Sequence, residues 1–476
     1  MLFNSIDFIL FFLLVTVSYY VLPYRFRWVL LLGASCYFYM AFVPIYILIL
    51  AATIVIDYFA GIWLEKSSGK KRKQLLYLSL AANIGVLVIF KYYNFFLDNL
   101  GFLLKGFALS NPLPRLDMLL PIGLSFHTFQ AMSYTIEVYR GNQKAERHFG
   151  IYSLYVMFYP QLVAGPIERP QNLLGQFRTK FDFDYANAVA GLKLMLWGFV
   201  KKLVIADRLG IYVDAVYGDP AHQGSASLIL ATIFFSFQIY ADFSGYTDIA
   251  IGAARVMGFK LMTNFRRPFL ARSTAEVWKR WHISLSSWFR DYLYISIGGN
   301  RVTIPRWYLN LFIVFLVSGL WHGASWTFII WGGLNGFFVI FGIISKPFRD
   351  KINRLTGLTR FPVVFLILQI LTTFLLTSMA RIFFRATSIS DALLIVKKIF
   401  TLNTPGFLYD PVLLFYCIIA ILLLMIKEIK EEFFSNSFTL LYHKKWQVRT
   451  LAAASLVILI ILAGVFDGGQ FIYFQF

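Results

Sequence analysis

Apolar runs of roughly 17–25 residues, the length a helix needs to cross a bilayer, recur from one end of this 476-residue chain to the other. No soluble core could absorb them. Only 14% of the residues are charged and 59% are hydrophobic, where an average chain carries roughly a quarter charged residues. In lipid a backbone must satisfy its own hydrogen bonds, so the sequence predicts an all-α polytopic membrane protein. Candidate spans fall near 6–22, 28–44, 45–63, 75–97, 119–138, 150–166, 188–206, 226–245, 308–331, 332–345, 361–380, 411–426 and 450–466. Several are short or interrupted, which leaves about 10–12 true crossings.

Charge orients the chain. Lys66, Lys70, Lys71, Arg72 and Lys73 cluster between two apolar runs, and such basic loops stay in the cytoplasm. Three spans precede them, so the N-terminus is expected on the extracytoplasmic side. Arg25 and Arg27, and later 140–148, then also fall inside. The basic stretches 346–360 and 427–449 are expected there too, which leaves Phe471-Ile-Tyr-Phe-Gln-Phe476 outside. The first apolar segment has no basic stretch before it and no convincing cleavage site, so a retained span is expected rather than a signal peptide. The net charge of +20 sits between spans, where it serves topology, and argues against nucleic acid as a partner. Cys36 and Cys417 lie in apolar segments and suggest neither a disulfide framework nor a metal site.

Against this background the polar motifs of the middle region stand out. Ala164-Gly-Pro-Ile-Glu-Arg-Pro170, Ala241-Asp-Phe-Ser-Gly-Tyr-Thr-Asp248 and Gly298-Gly-Asn-Arg301 suggest re-entrant or amphipathic helices around a central chamber, because irregular polar backbone survives at membrane depth only where protein covers it. His322, in Ser318-Gly-Leu-Trp-His-Gly-Ala-Ser-Trp326, falls near the middle of the apolar stretch 307–331. An ionisable group there is costly and usually functional, and imidazole suits proton transfer near neutral pH. Helix packing through Gly319 and Gly323 is the competing explanation for this motif. His282, in Trp278-Lys-Arg-Trp-His-Ile-Ser-Leu285, is the second candidate; His127 reads better as a buried structural histidine. Asp242 is placed either to orient an imidazole or to cap a helix. From Arg255 to Arg306 ten basic residues face only Glu276 and Asp291. Anionic lipid and a phosphate-bearing donor explain that excess equally well.

Together the motifs resemble the membrane-bound O-acyltransferase family, and its bacterial alginate O-acetyltransferase branch in particular. The likeness is carried by Pro121-Ile-Gly-Leu-Ser-Phe-His-Thr-Phe-Gln130, Tyr159-Pro-Gln-Leu-Val-Ala-Gly-Pro-Ile-Glu-Arg-Pro170, Asp242-Phe-Ser-Gly-Tyr-Thr-Asp248, Trp278-Lys-Arg-Trp-His-Ile-Ser-Leu-Ser-Ser-Trp288, Arg290-Asp-Tyr-Leu-Tyr294, Gly298-Gly-Asn-Arg301 and Gly319-Leu-Trp-His-Gly-Ala-Ser-Trp-Thr327. It covers nearly the whole chain and is densest over 115–335. The resemblance implies one integral-membrane domain with a central funnel or tunnel: N-terminal helices over 1–114, a motif-rich core over 115–345, C-terminal helices over 346–466 and an aromatic tail over 467–476. His322 matches the family's catalytic histidine and His282 its second polar position. Asp242, Trp321, Arg280, Arg290, Asn300 and Arg301 become candidates for orienting those groups or binding the donor. Asn335 stands where many relatives carry histidine, so an obligatory acid–base role is not expected of it.

The implied activity is O-acyl transfer, most simply of acetyl, from a cytoplasmic thioester (acetyl-CoA, or an acyl carrier protein) toward a cell-envelope polysaccharide outside a bacterial inner membrane. No bound cofactor or metal is implied. The resemblance also implies an extracytoplasmic SGNH/esterase-like acyltransferase partner and makes Tyr473 a candidate acyl relay; the alternative for Tyr473 is an aromatic belt anchor. D-alanyl transfer from a carrier protein to a teichoic acid-like polymer is a close alternative. A lipid or polysaccharide transporter is one of another class, disfavoured because no internal repeat is visible. A polytopic glycosyltransferase would need a large early extracytoplasmic loop, and the segment near Val43 is too short for one.

Overall fold

The computed structural model describes residues 1–109, 111, 113–116, 121–402, 410–434, 440–466 and 471–472. Among these residues the regular structure is helical, with no strand, as the hydropathy pattern predicts. Eight helices are long and apolar enough to cross a membrane: Pro44–Lys66, Gly69–Lys105, Ser225–Val256, Ile304–His322, Trp326–Ile344, Pro362–Arg385, Pro411–Phe433 and Trp446–Ala463. Ile6–Val21 is a shorter apolar helix. The chain is therefore an all-α, multi-pass membrane protein.

Among the described residues eight helices meet this measure, against about 10–12 crossings expected, and the difference has local causes. The apolar run at 150–166 breaks into Phe149–Met157 and Tyr159–Leu162 around Phe158, whose ψ of 111° is not helical, just before Pro160. The helix expected over 119–138 starts only at Leu124, after Gly123 at φ 77°, and ends at Gly141 at φ 80°. Both glycines occupy the left-handed region that other residues avoid. Almost all of Leu124–Arg140 is buried in protein, so it is a core helix as much as a candidate span.

The described residues form two compact units. The first comprises 1–195 and 247–262. Its polar interior is centred on Asp57, which accepts from Ser79 Oγ at 2.6 Å and from Asn83 Nδ2 at 2.8 Å, while Ser79 also reaches Thr135 Oγ1 at 3.2 Å. A buried carboxylate inside an apolar helix needs such donors. Glu65 pairs with Arg147 and Arg72 Nη2 donates to Val138 O at 3.1 Å. The two basic loops expected on one side of the membrane thus lie together. Arg27 is not a loop cation: it is buried and donates to Phe181 O and Leu22 O.

The second unit comprises 196–246 and 263–472. Here the Ala241–Asp248 motif corrects the expectation of irregular backbone, because it lies inside the unbroken helix Ser225–Val256. Its Gly245 serves close approach. A Cβ there would stand 2.9 Å from Gly198 O and 3.2 Å from Lys202 N, and the absence of one lets Asp242 and Lys202 meet. The Gly298-Gly-Asn-Arg301 motif is a tight turn, with Gly298 at φ 108° and Gly299 at φ 56°, pinned by Asn310 Nδ2 donating to Gly299 O at 3.0 Å.

Candidate active site

His322 is not in mid-helix, as the continuous hydropathy suggested. It is the last residue of Ile304–His322. Gly323 is extended at φ −164°, and Ser325 caps Trp326–Ile344 by accepting from Thr327 N at 3.3 Å. The break turns one apolar stretch into two packed helices. Gly319 and Gly332 sit at their contact: a Cβ on Gly319 would meet Phe328 O at 2.3 Å, and one on Gly332 would meet Phe315 O at 2.3 Å. Packing therefore explains Gly319, and the turn frees the histidine from the helix surface. The His322 ring is buried, edge-on to Trp331 at 5.0 Å between centroids and 4.9 Å from Trp321.

His282 reaches the same place from another direction. Ser273 caps the helix Thr274–Arg280 by accepting from Glu276 N at 3.2 Å. After Trp281 the chain turns through His282 at φ 44° and ψ 55° and restarts as Ile283–Trp288. A left-handed histidine is uncommon, and strain of this kind concentrates at functional sites. The preceding strap holds it: Arg266 N donates to Arg280 O and Ile283 N to Asn264 O, both at 2.8 Å. The Asn264 side-chain oxygen lies 3.1 Å from His282 Nδ1 and accepts from Ser284 N at 3.1 Å and from Ser284 Oγ at 2.9 Å. Burial pushes the His282 imidazole down to about 3, so the ring is neutral at physiological pH.

The two histidines line one cavity of about 100 Å³, with Trp278, Trp281, Leu285, Phe289, Phe315 and Ser318 among its walls. A cavity needs about 10–15 Å³ to admit one water, so this one has room for several waters or a short acyl group. Trp321 lies beside both imidazoles, 6.3 Å from His282 between centroids.

The other candidates lie elsewhere. Asp242 neither caps a helix nor orients a histidine. Its carboxylate accepts from Lys202 Nζ at 2.8 Å and from Ile472 N at 2.8 Å. Lys202 Nζ lies 4.3 Å from the Phe471 ring centroid, and Phe471 packs edge-on against Tyr246 at 4.7 Å. This buried pair holds residues 471 and 472; Tyr473 itself lies outside the described residues. Arg280 is bound to Glu276 at 2.6 Å and to Glu432 at 2.9 Å. Arg290 is exposed and paired with Asp291 at 2.7 Å. Asn300 and Arg301 are exposed on their turn, and none of these four lines the cavity. Asn335 donates back to Trp331 O of its own helix at 2.8 Å. Two residues escaped the sequence reading. Lys202 was signalled by its place inside an apolar run, where a cation demands a partner. Asn264 carried no signal.

Relatives place the chain in a family. Residues 146–386 match the model of the MBOAT, membrane-bound O-acyltransferase family. The chain belongs to that family. The probable alginate O-acetylase AlgI of Pseudomonas aeruginosa is 37% identical over 409 residues, covering 85% of this chain and 76% of the relative. The peptidoglycan O-acetyltransferase of Helicobacter pylori is 35% identical, covering 78% and 73%. More distantly, the teichoic acid D-alanyltransferase of Bacillus subtilis is 28% identical over 44% of this chain and 56% of its own. This membrane-bound O-acyltransferase is thus an enzyme, and its two buried histidines lie within the matched segment.

Proposed function

We propose that this enzyme O-acetylates an extracytoplasmic cell-envelope polysaccharide, drawing acetyl from a cytoplasmic thioester across a bacterial inner membrane, with its N-terminus outside. What supports this reading most is that His282 and His322 line one cavity in a family of acyltransferases whose relatives are named for alginate and peptidoglycan acetylation. The small cavity favours a short acyl group.

In the reaction an attacking hydroxyl oxygen bonds to the thioester carbonyl carbon as its proton passes to an imidazole. The carbonyl electron pair moves to oxygen, where hydrogen-bond donors stabilise it. Collapse breaks the C–S bond, and the leaving thiolate takes the proton back from the imidazolium. His322 serves either as that base or as the group that polarises the carbonyl. A positioned base contributes about 10²–10⁴-fold, so donors to the oxyanion supply much of the rest.

The attacking hydroxyl is that of Tyr473, which relays the acyl group to an esterase-like partner outside. The clamp on Phe471 and Ile472, the residues just before Tyr473 in the sequence, supports this reading. The full-length protein, reconstituted in vesicles with its partner and given acetyl-CoA labelled in the acetyl group, is expected to deposit base-labile ester label on envelope polysaccharide. Label that stays on the thioester whatever the partner overturns the reading. Intact-mass measurement during turnover is expected to show a 42 Da acetyl adduct (roughly one acetyl for hydrogen) that vanishes in Tyr473→Phe; an adduct persisting in that variant removes the relay.

A further inference from the structure

We infer that the helix Lys346–Leu355 lies in the membrane surface as a docking element for anionic lipid, with its apolar row among the acyl chains and its cations on the headgroup phosphates. Such a surface works whatever acyl donor the enzyme uses.

The helix follows its neighbour without a gap. Ser345 ends Trp326–Ile344, its N donating to Phe341 O at 2.8 Å, and its O accepts from Arg349 N of the next helix at 2.9 Å. Arg349 braces the corner, with Nη2 donating to Gly342 O at 2.7 Å and Nε to Ser345 Oγ at 3.1 Å. Residues 356–361 alone separate the far end from the span Pro362–Arg385. Both ends are thus tethered to membrane spans.

Among the described residues, little packs on this helix: every residue of it is exposed except Asn353, which is half-buried. Phe348, Ile352 and Leu355 recur at the three- and four-residue spacing of a single helix face, yet they are 67%, 41% and 76% exposed. Asn353 falls on the opposite face. A helix of 10 residues is marginal alone in water, so the apolar row requires a surface to rest on, and the bilayer begins where Ser345 stands. Charge selects the lipid. Lys346, Arg349, Lys351, Arg354 and Arg360 face one acid, Asp350, which Lys346 already takes at 3.1 Å. Among the described residues no carboxylate pairs with Lys351, Arg354 or Arg360. Arg349 and Lys351 flank the apolar row on its two sides, where long stems stay in the apolar layer while the charged heads reach phosphate. Each basic residue near an anionic surface is favoured about fivefold.

The test uses full-length protein carrying Cys36→Ala and Cys417→Ala, reconstituted in vesicles of phosphatidylglycerol and phosphatidylcholine in equal parts. A nitroxide is attached in turn through Phe348→Cys, Leu355→Cys and Asp350→Cys, exposed positions all. Labels at 348 and 355 are expected to collide several times more with oxygen, which concentrates among acyl chains, than with a water-soluble nickel chelate; the label at 350 is expected to show the reverse. Nickel contact at 348 and 355 equal to that at 350 leaves the face in water and overturns the inference. Shielding from both reagents means that protein covers the face, whether a second copy or a soluble partner, and also overturns it. For the charge, a fluorophore on Phe348→Cys is read in the same vesicles with one lipid or the other brominated. Brominated phosphatidylglycerol is expected to quench several-fold more than brominated phosphatidylcholine, and Lys351→Gln/Arg354→Gln/Arg360→Gln is expected to bring the two close together. Equal quenching with all cations in place overturns the anionic assignment, and a preference that survives loss of the three cations overturns their part in it.

Discussion

Lys202 and Asp242 are both shut away from solvent, with side chains 1% and 2% exposed. Removing one member of a buried pair typically costs about 3–5 kcal/mol, because the other charge is left uncompensated. Here Asp207 still lies 2.9 Å from Lys202, so the loss from Asp242→Ala falls at the lower end. What goes completely is the acceptor for Ile472 N. Asp242→Ala is therefore expected to speed hydrogen exchange at the Ile472 amide at least several-fold in reconstituted protein; an unchanged rate would mean that other contacts hold residues 471 and 472. Arg280 supports a contrasting prediction. Its guanidinium is taken by Glu276 and Glu432, so Arg280→Gln is expected to cost about 1–2 kcal/mol of stability while KM for acetyl-CoA stays within about twofold. A large rise in KM would place Arg280 at the donor site. At this scale the sequence was legible for histidines, since a polar group in an apolar run announces its own cost. It was silent on Asn264, whose importance comes from a contact with a residue 18 positions away.

Among the helices, the break after His322 decides the site. Hydropathy runs through 307–331 without a dip, so the two helices looked like one span followed by a shorter one. The local signals were present all the same: Ser325 before Thr327 is an N-cap pattern, and Gly319 and Gly332 mark the face where the helices touch. Gly319→Val adds bulk where a Cβ already meets Phe328 O at 2.3 Å, and overpacking of that kind costs about 1–3 kcal/mol or more. The variant is expected to lose folded, monodisperse protein on size-exclusion chromatography in detergent. Gly333→Ala, whose Cβ would meet the Leu316 side chain at 3.5 Å and the Phe312 ring at 3.8 Å, both ordinary contacts, is expected to behave as wild type. Equal tolerance of both would contradict the close packing that turns His322 off the helix. The Ser225–Val256 helix shows the opposite failure of reading. Its Gly, Ser and Asp residues suggested a broken segment, yet tertiary contact absorbs them. Gly245 permits close approach, Ser244 accepts from Lys201 at 2.9 Å, and Asp242 takes Lys202.

For the whole molecule, composition and loop charge carried most of the architecture, because bilayer thickness and the energetics of charged groups in lipid leave few alternatives. The contact between the 65–73 and 138–147 segments puts the two on one side, as the cytoplasmic placement expected of both requires. Single-cysteine Lys71→Cys protein in sealed, right-side-out cells is expected to resist a membrane-impermeant maleimide until the cells are permeabilised; immediate labelling would invert the topology. The central claim is that acyl transfer takes place in the cavity shared by His282 and His322. Its most direct test is label transfer from acetyl-CoA, the proposed donor, by reconstituted wild-type protein with the proposed esterase-like partner, set beside His322→Ala protein of equal folded amount. A fall in transfer of about 10²-fold or more is the predicted result, and equal transfer by the two proteins would contradict it.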